Sequence, residues 1–308
     1  MQTVKSSSSP VQQATVVPIY ASLVLVWALT PLAIVWSVEE IPVLWALVIR
    51  FVCALPLMAV LLVVLRIPVP TDKKALLSYF AGSLGLIVSQ TFTYMAAAYL
   101  SSGMVALMFG FAPIVAGLIA FIVFHQRLRI NQWLGMMVAI GGLAIISTAG
   151  QEARVSLLGL GLMVCAIVCY ASSIFWVKHI NAPVAPFAQA AGSIAISLLI
   201  GLCYVPFIWR SMPTELPGAR TLIAIAYTVV VATVLGMFFY FNLVQKISAT
   251  TLSLATVITP MLALFFGVVL NNEQFRISIL FGSLVVISGL AVYFFHDLRS
   301  LAARPKAI

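Results

Sequence analysis

The chain is 308 residues long, 63% hydrophobic and only 7% charged, with a formal net charge of +9. A soluble globular domain carries charge on about a quarter of its residues, so this composition excludes a soluble enzyme and also a nucleic-acid module, whose cations would gather on one basic face. It describes a chain that lives in lipid.

A hydrocarbon core about 30 Å thick is crossed by about 20 apolar residues as a helix, because a helix satisfies its own backbone groups where no water can. Ten such stretches are predicted, at 17–36, 43–65, 75–96, 103–124, 131–149, 157–177, 184–208, 221–243, 250–270 and 278–296. The expected fold class is therefore an all-α polytopic membrane protein with the lipid bilayer as its main partner. Residues 1–16, with the Ser6–Ser9 run and Pro10, are expected to form a disordered cytoplasmic tail, and 297–308 a cytoplasmic tail. The first span reads as uncleaved: it is too long for a signal peptide and carries Pro31 and Trp36 where small cleavage-site residues would stand.

In chain order, the first span carries Trp27 and ends at Trp36, before a loop with Glu39 and Glu40. The second holds Arg50, which at 1.5 Å per residue from the Pro42 turn lies on the order of 12 Å into the membrane. A charge at that depth is expensive. Arg50 is expected either to attract a carboxylate, of a substrate or of Glu39 or Glu40 in a gate, or to snorkel to the interface or cap backbone carbonyls. The third span brings Tyr79, Gln90 and Tyr94, with Tyr99 just beyond. An amide or phenol far from the interface needs a partner, which a water-lined cavity supplies, whereas Trp36, Tyr79 and Tyr99 equally suit interfacial belts. In the fourth span Pro113 cannot donate an intrahelical hydrogen bond and is expected to kink the helix as a hinge, ordinary packing being the alternative. The sixth span adds Cys165, Cys169, Tyr170 and Trp176; the eighth, Tyr227, Tyr240 and Asn242; the ninth, Pro260, a second candidate hinge. The four cysteines, Cys53, Cys165, Cys169 and Cys203, read as small apolar packing residues. Cys165 and Cys169 share a helix face, but no His or carboxylate accompanies them in that span, so neither a metal nor a cofactor is expected. His125 and His179 read as solvated residues at span ends.

The chain repeats itself at an offset of 147 residues: Pro113 and Pro260, Arg129 and Arg276, Gly135 and Gly282, Gly142-Leu143 and Gly289-Leu290. Five spans separate equivalent positions, an odd number, so the copies enter the membrane from opposite sides. Two inverted five-helix repeats are expected, at 17–149 and 157–296. With both termini cytoplasmic, the inner segments hold Lys5, Arg66, Lys73, Lys74, Arg127, Arg129, Lys178, Lys246, Arg299, Arg304 and Lys306, and the outer loops only Arg154, Arg210, Arg220 and Arg276. That asymmetry is the positive-inside pattern and accounts for the net charge.

The ordered set of Trp27-Ala28, Arg50, Pro113, Pro260 and the Gly-rich fifth and tenth spans resembles the drug/metabolite transporter superfamily in its EamA-type ten-helix branch, over residues 17–296. Where that family often ends its fourth and ninth spans with Gly-Glu, this chain has His125-Gln126 and Asn272-Glu273. In wording and spacing it is most similar to bacterial amino-acid exporters of the superfamily, the aromatic amino-acid exporters in particular. The resemblance implies two five-helix halves around a central cavity, peripheral fifth and tenth helices, and export across the inner membrane.

The ionisable residues narrow the mechanism independently. None of the seven acidic residues, Glu39, Glu40, Asp72, Glu152, Glu215, Glu273 and Asp297, is predicted mid-membrane. A proton-coupled cation exporter needs a cavity carboxylate, so a facilitator is expected instead. An embedded enzyme would need a nucleophile with a base, a metal set or paired aspartates, and a channel a continuous polar pore. The reading is a monomeric exporter of amino acids, aromatic and large neutral ones first, working by alternating access, with multidrug or other small-metabolite efflux as the alternative. Arg50, Trp27, Gln90, Tyr94, Tyr99, Trp176, Tyr240 and Asn242 are the candidate substrate-binding residues, and Pro113 and Pro260 the candidate hinges.

Overall fold

The computed structural model describes residues 10–125, 127–147, 156–246, 255–273 and 277–295. Among these, all regular elements are helical: α1 (Pro10–Ser37), α2 (Val43–Val64), α3 (Lys73–Ser83), α4 (Ser89–Ala97), α5 (Ser102–Phe109), α6 (Ala112–Phe124), α7 (Ile130–Ser147), α8 (Leu157–Ile180), α9 (Pro186–Ile208), α10 (Ala219–Ala226), α11 (Gly236–Lys246), α12 (Ala255–Asn271) and α13 (Ile277–Tyr293). Within the described residues, seven helical runs are long and apolar enough to cross a membrane, and three shorter apolar helices fall within the predicted fifth, ninth and tenth spans. The first helix begins at Pro10, inside the segment expected to be a disordered tail; proline is at ease in a first helical turn, where its missing N–H has no role.

Local chemistry explains where the helices stop and bend. The Asp72 carboxylate accepts from Ala75 N at 3.3 Å and caps α3. Left-handed residues follow four helices, at Arg66, His125, Asn181 and Asn272; His125 and Asn272 are 147 positions apart, so the repeat extends to its turns. The third and eighth spans are each interrupted by wide π-helical turns, at Leu84–Val88 and Tyr227–Leu235, and the offset of 147 carries the first segment into the second. The Thr233 hydroxyl donates 2.7 Å to the Thr228 carbonyl, five residues back, within the second of these turns.

At Pro113 the expected disruption is a break rather than a smooth kink: the fourth span is interrupted at Gly110–Phe111, and Pro113 sits in the first turn of α6. There the backbone tightens, Gly110 N reaching both Ala106 and Leu107 carbonyls and Phe111 N the Met108 carbonyl at 2.9 Å. Glycine is a weak helix former, and Pro113 has no N–H to give the Phe109 carbonyl. Pro260, by contrast, lies inside the continuous helix α12.

Helices α7 and α13 make the most extensive pairing in the molecule, away from the cavity. A Cβ on Gly135 would lie 2.5 Å from Tyr293 N and 2.6 Å from the Gly289 carbonyl, and one on Gly142 2.7 Å from Gly282 O. An early residue of one helix thus meets a late residue of the other, and two equivalent helices pack antiparallel through their glycines. Other prominent pairings also join the two halves: α1 meets α10, α11 and α12, while α8 meets α3, α4 and α6. The outer surface is apolar, with Val63, Leu199 and Phe207 at 76%, 64% and 89% exposure, as a lipid-facing surface should be. Cys53, Cys165 and Cys203 belong to that exposed surface and are not the packing residues expected; Cys169 is half-buried.

Candidate binding cavity

The helices of both halves enclose a cavity of about 450 Å³. Trp27, Pro31 and Ile34 of α1 line it, with Arg50 of α2, Gln90 of α4, Phe109 of α5, Tyr170 and Lys178 of α8, Gln189 and Ser193 of α9, Tyr240 of α11 and Pro260 of α12. The wall is mostly aromatic and aliphatic. Trp27 and Tyr240 pair at 5.7 Å between ring centroids, and Phe109 meets Tyr170 edge-on at 6.1 Å. One end of the cavity reaches the exposed Lys178, in the last turn of α8.

Arg50 lies in the wall and is only 6% exposed, so it does not snorkel. Its Nε donates to Thr233 Oγ1 at 3.0 Å, and its Nη1 reaches Gln90 Oε1 and Tyr94 Oη, each at a long 3.4 Å. The guanidinium carbon is 6.0 Å from the Tyr94 ring centroid. All these partners are neutral. Arg50 ties α2 to α4 of its own half and to the π-helical turn of the other half. Among the described residues no Asp or Glu lines the cavity, so its two basic residues, Arg50 and Lys178, face no opposite charge there.

Glu39 and Glu40, considered as gate partners for Arg50, are engaged elsewhere. Glu39 pairs with Arg220 at 3.7 Å, and Glu40 accepts from Gly218 N. Both belong to a polar cluster at the end of the cavity opposite Lys178, beyond Ile34 and Arg50. There the Arg220 guanidinium stacks 4.4 Å over the Trp36 ring, and both Arg220 and Trp36 donate to Asn271 Oδ1, the indole at 2.8 Å. Asn271 Nδ2 donates in turn to Glu273 Oε1 at 3.0 Å. This cluster joins α1, α10 and α12, and the cavity lining stops short of it.

Of the candidate residues, the structure brings Trp27, Arg50, Gln90, Tyr240 and Pro260 to one cavity. Tyr94 is fully buried behind Arg50. Tyr99 and Trp176 are 43% and 57% exposed and do not line the cavity. Asn242 lies off the cavity, half-buried with its amide oxygen enclosed. Sequence reasoning did not single out Phe109, Gln189, Ser193 or the Trp36–Arg220–Asn271–Glu273 cluster. Gln189 had a signal, an amide in an apolar span; it accepts from Ser78 Oγ at 2.7 Å and donates to Ser78 O at 2.9 Å.

A model of the EamA-like transporter family matches the chain twice, over residues 17–148 and 157–295. Among curated relatives, the uncharacterized transporter YvbV of Bacillus subtilis is 21% identical over 213 residues, 68% of each chain. An uncharacterized transporter of Archaeoglobus fulgidus is 22% identical over 79% of this chain and 86% of its own. The uncharacterized transporter YoaV of Bacillus subtilis is 26% identical over 78% and 82% respectively. A solved structure titled "Crystal structure of protein" superposes with a TM-score of 0.66 at 15% identity, covering 93% of this chain and 99% of that one, a likeness of fold.

Proposed function

The chain belongs to the EamA-like transporter family, and from that premise we propose that it exports amino acids with aromatic and large neutral side chains across the bacterial inner membrane by alternating access. It is a multi-pass membrane transporter. The observation that carries the substrate reading is Arg50: a buried cation in the wall of a mostly apolar cavity, hydrogen-bonded among the described residues only to neutral groups. An uncompensated buried charge is costly, and an arriving carboxylate offsets that cost. The Trp27–Tyr240 pair then holds the side chain by offset stacking, worth about 0.5–1.5 kcal/mol per aromatic pair.

In this reading ten spans form two inverted repeats, both termini are cytoplasmic and a monomer suffices. The open Lys178 end faces the cytoplasm, in keeping with the basic residues of the inner segments. No step requires a cavity acid, so substrate runs down its own gradient. Organic cations meet Arg50 and Lys178 with no carboxylate to receive them, which disfavours the multidrug alternative. Reconstitution in proteoliposomes with labelled phenylalanine, with and without imposed pH, Na⁺ and voltage gradients, tests the proposal. Saturable phenylalanine flux that needs no ion gradient is expected. Flux of quaternary amines with none of phenylalanine would reverse it.

A further inference from the structure

At the Trp36 end Glu273 does more than end a helix. Asn272 adopts the left-handed conformation (φ 50°) and turns the chain so that Glu273 N donates back to Gly267 O at 3.0 Å. The carboxylate then crosses to the other half of the molecule. Its Oε1 accepts from Ser102 N at 3.0 Å and Ser102 Oγ at 2.7 Å, and its Oε2 lies 3.5 Å from Gly103 N. Ser102 begins α5, so a side chain of the second repeat caps a helix of the first. Gly267 makes the approach possible, because a Cβ there would lie 2.5 Å from Glu273 Oε2.

We propose that Glu273 is an ionisable latch of the gate at the Trp36 end: as a carboxylate it holds that end shut, and protonation from that side releases it. The neutral acid keeps one good acceptor but loses the charge that strengthens its bonds to Ser102 and to the positive N-terminal end of α5. Acid therefore favours opening. The other charged groups on this side are Arg220, which reaches Glu273 through Asn271, Glu39 and Glu40 in the loop after α1, and Arg210 and Glu215 in the connection between α9 and α10; the facing residues of α5 and α12, Ser102, Gly103 and Asn271, are neutral. Arg154 and Arg276 lie outside the described residues. The proposal rests on the alternating-access reading with the Trp36 end outside, and on no particular substrate.

The test measures access without transport. In a chain whose four cysteines are replaced, Ile34→Cys reports from the cavity just inside the seal, and Ser211→Cys, exposed in the loop after α9, serves as reference. A membrane-impermeant maleimide is added outside intact cells, and the ratio of the two rates cancels the titration of the thiol itself. Glu273→Gln is expected to raise that ratio about tenfold at neutral pH, from loss of charge-assisted bonds, and to flatten its pH dependence. The parent's ratio is expected to rise from neutral to acid pH. Gly267→Ala, which displaces the carboxylate without changing its charge, is expected to act like Glu273→Gln. An unchanged ratio in Glu273→Gln overturns the proposal. If that variant does not reach the membrane, a parent ratio that stays flat from neutral to acid pH overturns it. Failure of phenylalanine transport would leave these readouts unaffected.

Discussion

Arg50→Met separates a binding role from a structural one. Methionine keeps a long side chain in the wall and removes the charge together with the guanidinium's donors. The partners it leaves behind are not stranded: Thr233 still donates to the Thr228 carbonyl, and Gln90 is half-buried beside the cavity. All three lose their bond to the guanidinium, and the one left fully buried, the Tyr94 hydroxyl, loses only a long contact of 3.4 Å. Relief of an uncompensated buried cation works in the opposite direction, so the melting temperature in detergent is expected to hold or rise. Binding is expected to suffer. A hydrogen bond to a charged group contributes about 1.5–3 kcal/mol, which corresponds to roughly 10- to 150-fold in Kd. The assay is equilibrium binding of phenylalanine beside phenethylamine, which lacks the carboxylate. The parent should prefer phenylalanine, and Arg50→Met should lose that preference by weakening phenylalanine while improving the amine. A variant that melts lower and binds phenylalanine as tightly as the parent would refute the reasoning and make Arg50 a structural tie.

Trp27→Ala and Tyr240→Ala should each weaken phenylalanine by about 2- to 12-fold, following a stacking loss of about 0.5–1.5 kcal/mol, with leucine less affected; competition binding measures both ligands. Gly289→Val would drive side-chain atoms into a backbone 2.5 Å from the ideal Cβ position, at Ala139 N, and should lower the melting temperature through overpacking, about 1–3 kcal/mol or more. Gly141→Val and Gly161→Val, where nothing lies within 4 Å, are the controls and should melt like the parent. Pro260→Ala restores a donor to the interior of α12 and is expected to slow flux without changing Kd, whereas Pro113→Ala, in a first helical turn, should leave both nearly unchanged; initial rates in proteoliposomes distinguish them.

The helices were legible because lipid enforces a simple rule: a segment crossing the hydrocarbon must satisfy its own backbone, so apolar length alone marks it. The Gly135, Gly142, Gly282 and Gly289 pattern was legible for a related reason, since two backbones approach closely only where no Cβ intervenes. The site was harder. Arg50 stood out by its cost, and Trp27, Gln90 and Tyr240 by their polar atoms, but which face of a helix looks inward is nearly invisible when every face is apolar. Trp176 and Tyr170 show this: both are amphipathic aromatics in α8, six positions apart, yet Tyr170 lines the cavity and Trp176 faces outward. The sealed end escaped notice for another reason. Trp36, Arg220, Asn271 and Glu273 come from three separate helices and a span end, and each alone resembles an ordinary interfacial residue.

Cavity and seal together bear on how an empty carrier behaves under the proposed mechanism. The polar groups of the seal satisfy one another: Glu273 is held by Ser102 and Asn271, and Arg220 by Glu39, Trp36 and Asn271. Among the described residues, Arg50 has no such charge partner within the cavity wall. Closing the Lys178 end around an empty cavity would withdraw water from an unneutralised guanidinium, while closing it around a bound amino acid would enclose that guanidinium paired with the substrate carboxylate. Desolvating an unpaired ion costs several kcal/mol even after relaxation, and pairing recovers much of it. The loaded carrier should therefore change state faster than the empty one. Phenylalanine–phenylalanine exchange in proteoliposomes is expected to exceed net efflux into substrate-free buffer by about tenfold, the factor that corresponds to 1.4 kcal/mol of barrier. In Arg50→Met the two rates should converge, because the charge that penalises the empty closure is gone. Equal exchange and net rates in the parent would mean that Arg50 imposes no such penalty on the empty transition.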